Sequence, residues 1–594
     1  MKTQPQTLLV LVLLLAGAAG VFCAGITWGL PSRAVDPFLF GAVTPWDGEK
    51  ILRLAGDRAD DPRLGADVDI DPLASRDQPL VLNATDVQRA AIIRRYRLYS
   101  YQPDEMITLM ALAGMRPSQG RLDPRLYQYG GLWIYPAGAL LKLASLTGEV
   151  TVISDLAFYL DYPEEFGKFY VVMRLYTVAW ALVGVAAVFW LGRRLGGGCT
   201  ATAAAGALCY ALMPVVINMA HEAKPHLPGA VLMLLVVIAA VRYVDTGRRG
   251  WWLAAAALCG AALGMVLSAL PIFVVLPVMS LLRRHRWREV VWRTVAGGCV
   301  GAGVYLVTNP YILINLVGNR DVLRSNFGNS LAMYEISRLG AGLLNAASLV
   351  AEGTSPLLAV VGTVGAGIFA WRVLRRRPRD CPEPAAAQAH AAGWLLAVPA
   401  LVVFAQFVAL AAGKPAEYGR FAVFPDVALA LAAVMAVRHV MCRRAVQMAA
   451  LGLLVLVTAG PGVRYLVGFI RDSRPQTSRM RAAHDLRLLQ QAGASTLAIL
   501  AEPAPYNMPP VDLFAWRIVL PPTHEQGTGE HADVLVRAWG TQPFPATAGD
   551  MQRCVRPERT RWWRPGSISW ANKPFELLIP SQDGEQEPDL PVLP

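Results

Sequence analysis

The sequence predicts a polytopic α-helical membrane protein of about eleven spans, with a small α/β domain at its C-terminal end. Three observations predict it. Of 594 residues, 54% are hydrophobic and only 16% charged, where a soluble chain carries nearer a quarter charged residues. Long apolar runs recur from residue 170 to about 465. Arginine clusters fall in the short segments between those runs, in strict alternation. The net charge of +12 is therefore a topology signal rather than a nucleic-acid footprint, and no nucleic-acid partner is expected.

The first run, Leu8 to Leu30, follows Lys2 and is longer than the core of a signal peptide. Phe22 is bulky for a lipoprotein cleavage site before Cys23, so residues 1–30 read as an uncleaved anchor. Residues 31–169 form a long polar segment rich in Asp, Arg, Pro and Gly. Within it a helix is expected from Asp86 through Tyr99, after Asn83-Ala-Thr85. Tyr129 to Leu146 is apolar but short and interrupted by Gly130, Gly131 and Pro136, which suggests an interfacial or re-entrant segment.

A bundle then occupies residues 170–466. Its expected spans are 170–192, 200–218, 227–241, 251–267, 270–282, 292–308, 355–374, 392–412, 421–437 and 446–466. The block 251–282 is too long for one span and is divided at Ser268 and Pro271. Only that division keeps every arginine cluster on the inner side. The outer side then receives residues 31–169, 219–226, 309–354, 413–420 and everything after 467. Residues 320–350 suggest a surface helix at the interface. Residues 467–594 read as a small α/β domain, with a helix over Ser478–Gln491 and strands over 496–500, 517–520 and 533–537. The eight cysteines show no disulfide or zinc spacing, and no motif indicates a metal or another cofactor.

Four polar clusters fall at the outer ends of these helices. Asp104-Glu105 is a pair in which a carboxylate can act as general base, against the plain alternative of a solvated loop. Tyr99, Tyr101, Tyr127, Tyr129 and Tyr135 surround it and offer aromatic faces to a sugar ring, while Arg94, Arg95 and Arg97 are candidates for phosphate contact. His221-Glu222-Ala-Lys224-Pro-His226 places four ionisable groups at a membrane boundary, fit for an anion or an ordinary interfacial turn. Its histidines are poorly spaced for a metal. Asn309 and Tyr311 sit at another outer helix end, where Asn309 is a candidate hydrogen-bond partner and Pro310 a natural boundary residue. Lys414, Tyr418 and Arg420 are basic and aromatic on the side that should avoid positive charge, which a bound anionic headgroup would explain. The triple glycine at 196–198 lacks the strand and helix of a phosphate loop.

In this order the clusters resemble the GT-C membrane glycosyltransferases, in particular the protein O-mannosyltransferase and aminoarabinose-transferase relatives. The resemblance runs over roughly 8–465. It rests on Pro103-Asp104-Glu105, the segment from Leu122 to Pro136, Glu222-Ala-Lys-Pro-His226, Pro310-Tyr-Ile312 and Tyr418-Gly-Arg-Phe-Ala-Val-Phe-Pro425. The chain departs from the family pattern at Leu267-Ser268-Ala269-Leu270, where many relatives carry a lysine, and at His221 and His226. The resemblance implies a polyprenyl-phosphate sugar as donor, a glycan, lipid or protein as acceptor, and inversion at the anomeric carbon. It implies Asp104 as base with Glu105 assisting, and Lys224, His221 or Arg420 neutralising phosphate. A plasma or inner membrane location follows, with the chemistry on the extracytoplasmic side. The competing reading is a transporter or flippase of a lipid-linked or anionic solute, although such proteins place ionisable groups near the midplane. A third makes the C-terminal domain a binding module for cell-wall partners.

Overall fold

The computed structural model describes residues 5–55, 79–375, 384–412, 416–441, 443–474, 477–499, 504–521, 532–538, 551–555, 568–573 and 575–580. Among them, seven helices are long and apolar enough to cross a membrane, or nine if each of two bent pairs counts as one span. The chain is an integral membrane protein of mostly helical build. Helices occupy all eleven expected positions, but not all qualify as spans. The expected pair at 251–282 is a helix over Arg249–Met265, an extended Val266 and a 3-10 stretch over Leu267–Val274 that turns α-helical over Val275–Leu282. Pro271 and the extended backbone at Val266 divide the block, and each piece is short.

Two helices are interrupted. Thr200–Leu212 and Pro214–Ala220 meet at 59°, because Pro214 has no N–H to continue the ladder. Leu339–Thr354 and Pro356–Trp371 meet at 112° around Ser355. The buried apolar core runs through Pro163–Leu195, His226–Thr246 and Val423–Val440, whose neighbours wrap them.

The segments around the bundle fold together at one end of it. Six strands form one mixed sheet: β1 Leu80–Val81, β2 Thr496–Ile499, β3 Arg517–Leu520, β4 Val534–Ala538, β5 Met551–Val555 and β6 Phe575–Pro580, in the order β1-β3-β2-β4-β6-β5. The strands β2, β3 and β4 are mutually parallel, and the outer pairings are antiparallel. Strand β1 comes from the first polar segment, so the C-terminal sheet is completed by residues made more than 400 positions earlier. Asn83, just after β1, fixes that union. Its amide donates to Leu513 O (2.9 Å) and Trp516 O (2.7 Å) and accepts from Ile518 N–H (2.9 Å). The following helix, Asp86–Leu98, opens on a full capping box between Thr85 and Gln88 and gives Tyr96 to Met508 O at 2.7 Å.

Candidate active site

Asp104 lies at the start of the short helix Glu105–Ala113, but its side chain does not cap it. The carboxylate turns to two cations instead. Its Oδ2 is 2.8 Å from Lys224 Nζ and 2.9 Å from Arg420 Nη1. Lys224 comes from the turn between Pro214–Ala220 and His226–Thr246, and Arg420 from the 3-10 turn Ala416–Ala422. Three segments distant in sequence thus converge on one oxygen atom. Burial pushes the Asp104 carboxyl up, but the Lys224 ammonium and Arg420 guanidinium outweigh it and hold it well below the usual carboxylate range. Asp104 keeps 24% of its side chain exposed, while Lys224 is nearly closed off.

The rest of the cluster holds this geometry. Gln102 accepts from the Asp104 N–H at 2.6 Å and donates to Glu222 Oε2 at 3.1 Å. Glu222 lies 3.3 Å from Lys224 Nζ and accepts from Asn218 at 3.2 Å. Burial pushes its carboxyl up, Lys224 pulls it down, and the net direction is up. Tyr129 is buried against His226 in a T-shaped pair at 5.8 Å; burial, then the Asp104 carboxylate, push its phenol well up. His226 also meets the Phe421 ring at 4.9 Å, and its Nδ1 is buried with no hydrogen-bond partner. From His226 and Arg420 a small cleft extends among Ser268, Gln406, Phe407 and Phe424. Polar and apolar groups share its exposed wall about equally, and Arg420 belongs both to the cleft and to the Asp104 ion pair.

Glu105 is placed otherwise than an assisting acid requires. Its side chain is 0% exposed and saturated with donors. Oε1 accepts from Arg174 Nε and the Ala223 N–H, both at 2.8 Å; Oε2 accepts from Arg174 Nη2 at 2.7 Å and from the Ser100 hydroxyl. Arg174 spends its remaining nitrogen on Ile26 O and Trp28 O, both at 2.7 Å. Glu105 is therefore a structural anchor, tying the Asp104 loop to the turn that carries Lys224.

Other expected substrate contacts also lie in the frame. His221 is buried, with Nδ1 2.7 Å from Ile217 O, Nε2 2.9 Å from Ala24 O and its ring stacked on Phe469 at 4.3 Å. Both ring nitrogens are committed to backbone, so none faces Asp104. Arg97 is wholly buried in an ion pair with Asp36 (2.9 Å) and a bond to Leu160 O (2.8 Å). Tyr101 packs under the Arg479 guanidinium at 4.1 Å. Asn309 accepts from Gly131 N–H at 2.7 Å and so caps the helix Gly131–Leu146. Tyr135 and Tyr311 fasten the loop at Leu122, by its carbonyl (3.2 Å) and its N–H (2.9 Å) respectively. Lys414 lies outside the described residues, and only the backbone of Tyr418 is described. Among the described residues no group of three or more His, Cys, Asp or Glu side chains is arranged to hold a metal ion.

Gln102, Ser100 and Arg174 were not anticipated. Gln102 sits within the same motif as Asp104. Arg174 carried a signal of its own, a lone charge inside an apolar span, which ordinarily marks a buried partner.

Residues 165–313 match the family model described as dolichyl-phosphate-mannose-protein mannosyltransferase. Over that segment the chain resembles the GT-C membrane glycosyltransferases. The match includes Arg174, Glu222, Lys224 and His226; Asp104 and Arg420 lie outside it. Among solved structures, the chain is similar to ArnT from Cupriavidus metallidurans in the apo state (14% identity, TM-score 0.41, 82% of this chain and 96% of that one). The same protein bound to undecaprenyl phosphate gives 19% identity and TM-score 0.39 over 66% and 68%. The archaeal oligosaccharyltransferase AglB from Archaeoglobus fulgidus, in complex with an inhibitory peptide and a dolichol-phosphate, gives 11% identity and TM-score 0.37 over 76% and 61%. No curated protein matches the chain.

Proposed function

We propose that the chain is a glycosyltransferase that moves a sugar from a polyprenyl-phosphate donor to an acceptor hydroxyl at the outer face of the membrane. The observation that carries this reading is the Asp104 carboxylate held by Lys224 and Arg420, the second of which also lines a small cleft. The family match over residues 165–313 supports the reaction class.

The chemistry follows from charge. A donor phosphate carries negative charge and competes with Asp104 for the same two cations. When it binds, Lys224 and Arg420 transfer their hydrogen bonds to it, and Asp104 is released as a free carboxylate with higher basicity. The acceptor oxygen then attacks the anomeric carbon while its proton passes to Asp104. The bond from that carbon to the phosphate oxygen breaks, and the electron pair leaves on the phosphate, neutralised by Lys224 and Arg420. A phosphate is a good leaving group, so one carboxylate suffices where glycosidases use two. A single displacement of this kind inverts the anomeric carbon. The lipid tail belongs in the bilayer, and the sugar lies at the headgroup level beside Tyr129 and His226.

The test is transfer from radiolabelled polyprenyl-phosphate sugars by membranes carrying Asp104→Asn. Loss of about 10²-fold or more is expected, the usual contribution of a general base; undiminished transfer would overturn the assignment. The transporter reading draws on one observation, the two interrupted helices within the bundle. It requires lipid-linked solute to cross vesicles without forming product, and Asp104→Asn to leave that crossing intact.

A further inference from the structure

Asp426 lies in the first turn of Val423–Val440, immediately below the turn that carries Arg420. Its side chain is fully buried, and neither carboxyl oxygen has a hydrogen-bond partner. Its Oδ2 faces Gly353: a methyl group there would come within 2.9 Å of that oxygen and 3.3 Å of Val215. Gly353 is two residues before the 112° break at Ser355, and Val215 is two residues after Met213, where the other interrupted helix bends. Both broken helices therefore meet at one orphan carboxyl group.

Several independent features make this a built site. A lone carboxylate in an apolar interior is among the costliest arrangements a protein can hold, so a positive charge has to accompany it. Interrupted helices are where membrane proteins offer backbone and hydroxyl oxygens to small ions. Thr354 and Ser355 are completely buried at the break. Their hydroxyls bond backbone of their own segment, Thr354 to Val350 O (2.7 Å) and Ser355 O (3.1 Å) and Ser355 from Leu358 N–H (3.3 Å), so neither donates to Asp426. Ser355 holds φ 130° and ψ 146°, a region almost confined to glycine, and strain of that kind concentrates at functional positions. Nearby ionisable groups are engaged elsewhere: Glu352 accepts from Tyr465 at 2.5 Å, and Arg420 is held by Asp104.

We infer that Asp426, where the two interrupted helices meet at Gly353 and Val215, is a binding site for a monovalent cation, a proton or a sodium ion, separate from the Asp104 cluster. The helix Leu339–Thr354 also packs on the 3-10 turn that bears Arg420, so occupancy of the site bears on how firmly Arg420 is held. The site does not depend on the transferase reading.

The test uses the full chain purified in lipid nanodiscs, compared with Asp426→Asn by infrared difference spectroscopy at neutral pH, in sodium chloride and in choline chloride. If the cation is a proton, wild type shows a protonated-carboxyl band in both salts that the variant lacks. If it is sodium, that band appears only in choline, and sodium raises the melting temperature of wild type but not of Asp426→Asn. Should the asparagine variant fail to fold, Asp426→Ser supplies the reference. An ionised carboxylate in both salts, with melting indifferent to sodium, overturns the proposal. Transfer activity measured on the same samples separates this outcome from failure of the transferase reading.

Discussion

Two adjacent carboxylates with opposite fates define the site. Asp104 is reachable and answers to two cations; Glu105 is sealed and answers to Arg174. Breaking a buried pair by removing one charge typically costs about 3–5 kcal/mol. Glu105→Gln is therefore expected to lower the melting temperature and yield of folded protein sharply. Asp104→Asn is expected to cut transfer about 10²-fold or more with a smaller fall in melting temperature, because its carboxylate is partly exposed and Glu222 still faces Lys224, and thermal unfolding of the two variants side by side checks the contrast. Arg420 predicts a pH effect. The Asp104 carboxyl is depressed in the folded chain, so its contribution to stability is complete above the unfolded carboxylate value and is lost as pH falls through the folded one. Arg420→Gln removes one depressing charge, and the acid limb of the kcat/KM profile should move to higher pH. An unmoved limb would show that Asp104 does not set it. Asp104, Lys224 and Arg420 were all legible as candidates, because each is polar at an apolar helix end. The role of Glu105 was not, since Arg174 is 69 positions away and nothing in local spacing links them.

Elements with a strong repeating pattern were readable. The helix from Asp86, the helix Ser478–Gln491 and the cores of β2, β3 and β4 all fall where composition and capping residues put them. Strand β1 is two residues long and gave no alternation to read. Its evidence is Asn83, whose amide replaces backbone partners that only the fold reveals. The break at Ser355 was placed at the boundary of a span rather than inside a bent pair, because hydropathy does not report direction. Asn83→Ala strands the Trp516 carbonyl and the Ile518 N–H near β3, each worth about 1–3 kcal/mol if left buried and unpaired, while Leu513 O keeps its bond from Arg89. The expected result is faster proteolysis of the sheet end in intact vesicles, with the bundle itself still resistant.

At the scale of the whole molecule, the arginine alternation predicts a single sidedness for all the clusters. A chain stripped of its eight cysteines and given one at Thr151 or Ser337, both exposed, should react with an impermeant maleimide added outside whole cells. One at Gly198 should react only after the membrane is opened. Labelling of all three from outside would refute the topology. The count of spans was harder to read than their order. Hydropathy marks every apolar segment alike, whereas the fold makes short pieces of 249–282 and bends two others.

The Asn83 junction also sets a timetable for biogenesis. Its partners are 430 to 435 positions further along the chain. At about 5–20 residues per second of synthesis, β1 waits roughly 20 to 90 seconds for them while most of the bundle is inserted. Throughout that interval its edge is unprotected, so a translocon-associated chaperone has a defined client window. A chain released before residue 521 would expose the same edge permanently and become a substrate for membrane quality control.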